Sequence, residues 1–177
     1  MLSEQVYEVG DARIYDTARI VKANHVIRIA DKCMICDLAF IGARVFNMDY
    51  GSQVGIGAII GGGGKVYLGK YAVVGSNAML LPATESPYAQ LMCESAPEDK
   101  RKVIRGSIEV HDGAYIGVGA ILCITEEHPH LHIGNRSIVG AGAYIDKDVP
   151  DDTVVIPKQE LTFKPREYLV KPDSLKI

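Results

Sequence analysis

The sequence lacks several features that would point to a membrane, a nucleic acid or a secretory route. No apolar run approaches the ~18 residues needed to cross a bilayer. The start of the chain shows neither the basic residues nor the apolar stretch of a secretion signal. The net charge is −3, and the one basic tract is the short Lys100-Arg101-Lys102, which disfavours a nucleic-acid partner. We therefore expect a cytoplasmic protein with no membrane insertion and no nucleic-acid partner.

The four cysteines give little support for a metal site. Cys33 and Cys36 form a C-x-x-C pair, but no second pair follows at the spacing of a zinc finger. Cys33 also occupies a small-residue position of the repeat described next. We expect free thiols in a reducing compartment and no bound metal.

What the sequence does contain is an internal repeat with a period of six. Large aliphatic residues recur at this spacing in four blocks, and a small residue follows most of them four positions later. The aliphatic positions are Ile29, Ile35 and Ile41; Leu68, Val74 and Leu80; Val110, Ile116 and Leu122; and Ile133, Val139 and Ile145. The small positions are Cys33, Ala39, Val45, Ala72, Ala78, Ala114, Ala120, Ser137 and Ala143. Neither a helical stripe nor simple strand alternation gives this pattern. It predicts a solenoid in which three short strands and three turns close one triangular coil around the aliphatic side chains.

The period is less clear in the first half of the chain. The stretch from Val9 to Arg28 indicates less regular starting coils, and the many glycines between Asn47 and Lys65 suggest that the register slips there. The run Gly61 to Gly64 is either a tight corner or a phosphate-binding loop. No Gly-Lys-Ser/Thr follows it, which favours the corner.

Two interruptions divide the later coils. A long polar insert lies at about 83–107, and a shorter break covers Thr125 to His132. An excursion as long as the first is more often functional than decorative. We predict a β-helix over 1–155 and a C-terminal tail or cap over 156–177.

The repeats and the ending of the helix resemble the hexapeptide-repeat acyltransferases, in particular the galactoside and maltose acetyltransferases and the O-antigen-type sugar acetyltransferases. That ending reads Ile138-Val139-Gly140-Ala141-Gly142-Ala143-Tyr144-Ile145-Asp146-Lys147-Asp148-Val149-Pro150. The resemblance implies a left-handed parallel β-helix and a homotrimer with active sites between subunits. It also implies transfer of an acetyl group from acetyl-coenzyme A to a hydroxyl or amine of a sugar or nucleotide sugar.

Motif by motif, the resemblance assigns roles to particular residues. Val118, Ala141 and Lys147 match positions that contact the coenzyme, Lys147 through a phosphate. Tyr115 matches an aromatic position beside the site and is predicted to contact substrate. Apart from the resemblance, the basic side chains of the insert, Arg101 and Arg105 among them, could hold the diphosphate of a nucleotide sugar. For each of these residues the alternative is repeat scaffold or solvent-exposed loop.

The sequence departs from the family's pattern at the catalytic base. Galactoside-type members carry Thr-Gly-His-Pro in the long loop, where this chain reads Thr84-Glu85-Ser86-Pro87. Glu85 could act as the base if partial burial raised the pKa of its carboxyl. The other candidate is His111 in Val110-His111-Asp112-Gly113, directly after the insert. The family's closing Gly-x-Pro-Ala is also absent from Val154-Val155-Ile156-Pro157-Lys158.

Two other functions remain open. Because the motif histidine is missing, the chain could be a catalytically silent β-helix used for assembly or binding. The cluster His128-Pro129-His130-Leu131-His132 could instead hold zinc, as in the γ-class carbonic anhydrases, although a polar turn is the simpler interpretation.

Overall fold

The structure is a computed structural model that describes residues 5–22 and 25–158. Most of the predicted C-terminal tail, residues 159–177, lies outside the described residues. The strands in chain order are β1 (Val6–Val9), β2 (Arg13–Ile14), β3 (Arg19–Ile20), β4 (Val26–Ile29), β5 (Met34–Ile35), β6 (Phe40–Ile41), β7 (Val45–Met48), β8 (Gln53–Val54), β9 (Ile59–Ile60), β10 (Lys65–Leu68), β11 (Val73–Val74), β12 (Met79–Leu81), β13 (Ala83–Glu85), β14 (Val103–Arg105), β15 (Ser107–Val110), β16 (Tyr115–Ile116), β17 (Ile121–Cys123), β18 (His130–Ile133), β19 (Ile138–Val139), β20 (Tyr144–Ile145) and β21 (Val154–Val155). A short 3-10 helix covers Glu98–Lys100. Among the described helical residues there is no segment with the length and apolarity needed to cross a bilayer.

These strands form three parallel sheets that share the walls of one solenoid. Sheet A contains β1, β4, β7, β10, β15 and β18; sheet B contains β2, β5, β8, β11, β16, β19 and β21; sheet C contains β3, β6, β9, β12, β17 and β20. Six coils give one strand to each sheet, β21 adds a seventh strand to sheet B, and neighbouring coils pair with each other. Strands β13 and β14 stand apart as a two-stranded antiparallel pair. The predicted all-β solenoid of parallel coils is therefore confirmed.

The period of six places one aliphatic side chain on the inside of each wall. On sheets B and C the second residue of each short strand points inward and the first points outward, as strand alternation requires. The inward row of sheet B is Ile35, Val54, Val74, Ile116 and Val139, and that of sheet C is Ile41, Ile60, Leu80, Leu122 and Ile145; all ten side chains are buried. The small residues of the repeat are buried at the corners. Val45 is the exception, since Ala43 is the buried residue at its corner.

The slip expected between Asn47 and Lys65 occurs at the corners that flank this stretch, where Ile41 to Met48 spans seven positions and Ile60 to Leu68 spans eight, and not within it. The spacing of six continues there through Met48, Val54 and Ile60, all buried, and β7, β8 and β9 pair in register with the coils before and after them. The glycines had hidden this regularity, because they occupy turns between strands rather than replacing strand residues. The run Gly61 to Gly64 forms the second of these corners, between β9 and β10.

Turns between sheets A and B are fixed by aspartates that reach back one coil. The Asp31 carboxylate accepts from the Asp11 N–H at 2.7 Å, Asp112 accepts from the Lys70 N–H at 2.8 Å, and Asp151 accepts from the Asn135 N–H at 2.7 Å. Each bond satisfies a turn amide that the strand ladders leave unpaired. The acidic residue after an inward aliphatic is thus a structural part of the repeat.

Stability at acidic pH is expected to depend on the last of these turns. Asp152 accepts two bonds of 2.7 Å from the Arg136 guanidinium, and this partner lowers the pKa of the Asp152 carboxyl below its ordinary 3.8. A lowered folded-state pKa gives a contribution that is fully present above pH 3.8 and is lost as pH falls through the lowered value. We expect Asp152→Asn to reduce the thermal midpoint by about 1–3 °C at pH 7, and the gap to the wild type to shrink below pH 3.8.

Thermal unfolding followed by circular dichroism at pH 7, 5 and 3 measures that gap. Asp16→Asn is the matched control, because the Asp16 carboxylate makes no hydrogen bond within residues 5–22 and 25–158 and should give no gap at any pH. A gap for Asp152→Asn that stays constant down to pH 3 would contradict the assignment.

Candidate active site

The long insert is a β-hairpin that projects from the corner between sheets C and A. Strands β13 and β14 pair antiparallel, with Thr84 opposite Ile104 and Glu85 opposite Val103. Residues 86–102 form the tip, which includes the 3-10 helix. The insert predicted at about 83–107 is therefore an ordered arm with a defined root, and β15 resumes the coil at Ser107.

The arm is anchored to the second break by a buried hydroxyl and an ion pair. Ser86 is fully buried, and its Oγ donates to Glu126 Oε2 at 2.8 Å. Lys102, on the returning side of the tip, pairs with the other oxygen of Glu126. Both contacts lower the pKa of the Glu126 carboxyl, the Lys102 bond most. The sequence did not indicate that Glu126 contacts the insert, because the two segments are not related by the six-residue repeat.

Glu85, a predicted base, is engaged in an ion pair. Arg101 Nη2 donates to Glu85 Oε1 at 2.5 Å, and both side chains are mostly buried beneath the tip. Arg101 Nη1 also donates to the Glu94 carbonyl at 2.7 Å. The Glu85 oxygen that faces Arg101 is therefore already engaged as a hydrogen-bond acceptor inside the arm. Arg101 was predicted to contact a diphosphate, but its guanidinium contacts Glu85 and the Glu94 carbonyl, which both belong to the arm.

The glycine run forms the root of the arm. A Cβ placed on Gly64 would lie 2.0 Å from the Pro82 carbonyl oxygen and 2.7 Å from that of Gly106. A Cβ on Gly62 would lie 3.0 Å from the Ala83 side chain. Glycine is required here because the two ends of the insert cross directly over the preceding coil. This matches the tight corner expected from the sequence, and insert backbone fills the space beside Gly64.

A groove runs along the outer face of sheet A. Its first half has a volume of about 430 Å³ and is bounded by three basic side chains, Arg44, Lys65 and Arg105. Within residues 5–22 and 25–158 none of the three forms an ion pair. Three unneutralised cations around one concave surface favour an anionic ligand. Of these residues the sequence had indicated only Arg105.

The second half of the groove, about 400 Å³, contains His111. Tyr67 and Glu109 line both halves and join them. Near the junction, Ser107 Oγ and His130 Nδ1 are hydrogen bonded at 2.9 Å. His132 Nδ1 lies 3.6 Å from Glu109 Oε2, and the His111 and His132 ring centroids are 5.9 Å apart. One groove thus has a cationic end and an end rich in groups that can accept a proton.

The second break is shorter than expected. His130 and His132 were predicted in a polar turn, but they lie on β18, which pairs with β15 so that Glu109 stands opposite His132. Their side chains therefore join the outer face of sheet A. His128 and Pro129 remain in the loop, where the Thr125 hydroxyl accepts from the His128 N–H at 3.0 Å.

The residues predicted to contact coenzyme lie elsewhere, mainly at the corner between sheets B and C. Val118 and Ala141 occupy the same exposed turn in consecutive coils, where the Gly142 N–H donates to the Val118 carbonyl at 2.9 Å. The residue after each, Gly119 and Gly142, has no side chain, so this edge presents nearly bare backbone beside Val118. Lys147 is exposed just after β20. Tyr115 is on the outer face of sheet B, 41% exposed, and does not line the groove on sheet A.

Comparison with known proteins supports the fold and the resemblance. No protein-family model matches the chain. The bifunctional protein GlmU of Nitratidesulfovibrio vulgaris is 31% identical over 185 residues, covering 91% of this chain and 40% of that protein. The galactoside O-acetyltransferase of Lactococcus lactis is 26% identical over 89 residues, covering 50% of this chain and 38% of that protein. The chain thus spans about two fifths of the length of either relative.

Among solved structures, a variant of AntD from Bacillus cereus superposes with a TM-score of 0.75 at 20% identity, covering 92% of this chain and 86% of that one. AntD is an N-acyltransferase, and that structure contains dTDP-4-amino-4,6-dideoxyglucose and coenzyme A. In fold this chain is a left-handed hexapeptide-repeat β-helix, and its resemblance to the hexapeptide-repeat acyltransferases is confirmed by an acetyltransferase among its sequence relatives.

Proposed function

We propose that the protein is an acyltransferase that moves an acetyl group from acetyl-coenzyme A to a hydroxyl or amine of a sugar or nucleotide sugar. The observation that carries the proposal is the groove on sheet A, where a cationic end leads to His111. The cationic end suits the phosphates of a nucleotide-sugar acceptor. The histidine end suits the acceptor's nucleophile. The relatives support this choice, because they include a galactoside O-acetyltransferase and an N-acyltransferase with a nucleotide sugar bound.

In the proposed reaction His111 is the general base. A ring nitrogen of His111 takes the proton from the acceptor hydroxyl or amine as the oxygen or nitrogen attacks the thioester carbonyl. The tetrahedral oxyanion is stabilised by backbone N–H groups. When the intermediate collapses, the C–S bond breaks, the acetyl group stays on the acceptor, and coenzyme A leaves with the proton that His111 returns. Glu85 is the weaker candidate for this role, because Arg101 already holds its carboxylate.

The coenzyme is proposed to lie along the corner between sheets B and C. The small side chain of Ala141 and the nearly bare backbone beside Val118 would let a pantetheine arm approach closely, and Lys147 would contact a coenzyme phosphate. This corner and the groove are on different edges of the coil. Both substrates therefore meet most simply where one subunit's groove faces another subunit's corner.

That geometry supports a homotrimer with active sites between subunits. The outer face of sheet C carries a row of apolar side chains that a single chain leaves partly exposed. The row is Phe40, Ile59, Met79, Ile121 and Tyr144. Contiguous apolar surface of this kind is typical of a protein interface. Free thiols and a coenzyme A substrate are consistent with a cytoplasmic location.

The proposal predicts coenzyme binding together with an acceptor preference set by charge. Calorimetry should show that acetyl-coenzyme A binds. A thiol-release assay should show turnover with an amino-sugar nucleotide or with a galactoside. With a nucleotide-sugar acceptor, Arg105→Gln should raise KM about 10-fold or more, since it removes one of three cations facing the phosphates. With an uncharged galactoside it should leave KM unchanged.

Arg13→Gln serves as the matched control, because Arg13 is an exposed arginine on β2, away from the groove. Absence of coenzyme binding at millimolar concentration would overturn the proposal in favour of a silent assembly or binding protein. If Arg105→Gln changed KM equally for charged and uncharged acceptors, the groove would not be the site that binds the acceptor's phosphates.

A further inference from the structure

We infer that Glu109, His111 and His132 form a binding site for a divalent transition-metal ion such as Zn²⁺. One ligand atom from each residue lies within 4.8 Å of the other two. Tetrahedral zinc holds its nitrogen and oxygen ligands about 2.0–2.2 Å from the ion, so a small inward rotation of the three side chains is enough to enclose it. The sequence had indicated His132 as a possible zinc ligand only together with His128 and His130, and the leading expectation was no metal. Glu109 and His111 have no recognisable metal-ligand spacing to His132.

The backbone brings the three residues together on rigid elements. Glu109 on β15 and His132 on β18 are direct register partners and point to the same outer face of sheet A. His111 lies two residues beyond Glu109, at the corner where β15 ends, and its N–H donates to the Ile133 carbonyl at 2.9 Å. Strand pairing therefore fixes all three Cα positions, and a metal would only have to order the side chains.

The donor set indicates which ions fit. Two imidazole nitrogens and one carboxylate oxygen favour zinc, copper or nickel over calcium or magnesium, which prefer sites built only from oxygen. The cluster is half-buried, and Glu109 and His111 line the groove. Three protein ligands would leave a fourth position open toward the groove. The neighbouring Asp112 does not belong to this cluster, and its Oδ1 accepts from the Lys70 N–H.

Metal binding would have a consequence for catalysis, and this part rests on the proposed function. A bound ion takes the lone pair of the His111 nitrogen that faces it. If that nitrogen is the one that accepts the acceptor's proton, the metal and the reaction compete for the same atom. Zinc is then expected to inhibit acyl transfer reversibly, and a chelator to restore it.

The test is zinc binding by the full chain after chelator treatment, measured by calorimetry and by elemental analysis after gel filtration. We expect about one ion per chain in the wild type and at least a 100-fold loss of affinity in His132→Gln and in Glu109→Gln. His130→Gln is the matched control, because His130 lies on the same strand in the adjacent outward row, bonded to Ser107, and should keep wild-type affinity. The absorption spectrum of the Co²⁺-loaded wild type provides a readout that needs no variant.

Three outcomes overturn the site: no stoichiometric zinc, wild-type affinity in His132→Gln, or loss of binding in the His130→Gln control. A Co²⁺ spectrum without the intense visible bands of a low-coordinate site would also overturn it. Zinc that binds without slowing an active enzyme would overturn the inhibition but not the site. A chain that binds zinc yet shows no transfer in its metal-free form would overturn the proposed function and leave the site standing.

Discussion

Replacing Gly64 with alanine is expected to destabilise the protein by about 3 kcal/mol or more. The new Cβ would lie 2.0 Å from the Pro82 carbonyl oxygen and 2.7 Å from the Gly106 carbonyl oxygen. Both obstacles are backbone atoms, and both ends of the insert are held there, so neither can move without displacing β13 or β15. The Gly106 N–H also donates to the same Pro82 carbonyl at 2.9 Å, a bond that the displaced backbone would lose.

Gly61→Ala is the control for that experiment. Gly61 belongs to the same glycine run, and its Cβ would meet only the Leu81 and Ile59 side chains, at 3.5 and 3.6 Å. Those are ordinary van der Waals distances, so the change should be neutral or slightly stabilising through the unfolded chain. Urea unfolding followed by circular dichroism measures both variants. Equal stability of Gly61→Ala and Gly64→Ala would show that the insert does not cross the coil at Gly64.

The glycine run also shows where prediction from the sequence ends. The period of six identifies inward positions such as Ile116 and Leu122 because each coil repeats the same local geometry. It fails at Gly61 to Gly64 because the shape of that corner depends on Pro82 and Gly106, which follow later in the chain. A spacing pattern carries no information about a close approach between backbone segments so far apart.

The outward residues were harder to place than the inward ones for a similar reason. Glu109 and His132 become neighbours only through the pairing of β15 with β18, and 23 positions separate them because the intervening coil carries extra loop residues. The number of loop residues that leave the sheet cannot be counted from the sequence alone. For the same reason the sequence did not indicate Arg44 and Lys65 as groove residues. They lie near Arg105 only because the chain rejoins the coil at Gly106, at the end of the insert.

Tyr71 illustrates a third limit, which concerns turns. It has φ +56, in the left-handed region that favours glycine, and Gly51 (φ +70) and Gly113 (φ +67) occupy the equivalent turns of the adjacent coils. The stacking of one coil on the next imposes this conformation on whichever residue is present. A glycine at such a turn can be anticipated from the sequence, whereas a tyrosine cannot.

The largest effect on activity is expected for His111→Asn. Loss of the general base should lower kcat by about 10²- to 10⁴-fold, with a much smaller change in KM for acetyl-coenzyme A. The fold should be retained, because the ring is only partly buried and the bond to the Ile133 carbonyl comes from the backbone. The measurement is thiol release at saturating acetyl-coenzyme A, with chelator present so that no metal occupies the ring.

The comparison that assigns the base is Glu85→Gln under the same conditions. If His111 is the base, Glu85→Gln should leave the rate of the chemical step, and therefore kcat, almost unchanged. Loss of the Arg101 ion pair should still loosen the arm and raise KM for the acceptor. The separate kinetic constants distinguish the two effects. His111→Asn should lower kcat with little change in KM, whereas Glu85→Gln should raise KM for the acceptor with little change in kcat. If His111→Asn kept full activity and Glu85→Gln lost most of its kcat, Glu85 would be the general base. The groove on sheet A would then only bind substrate.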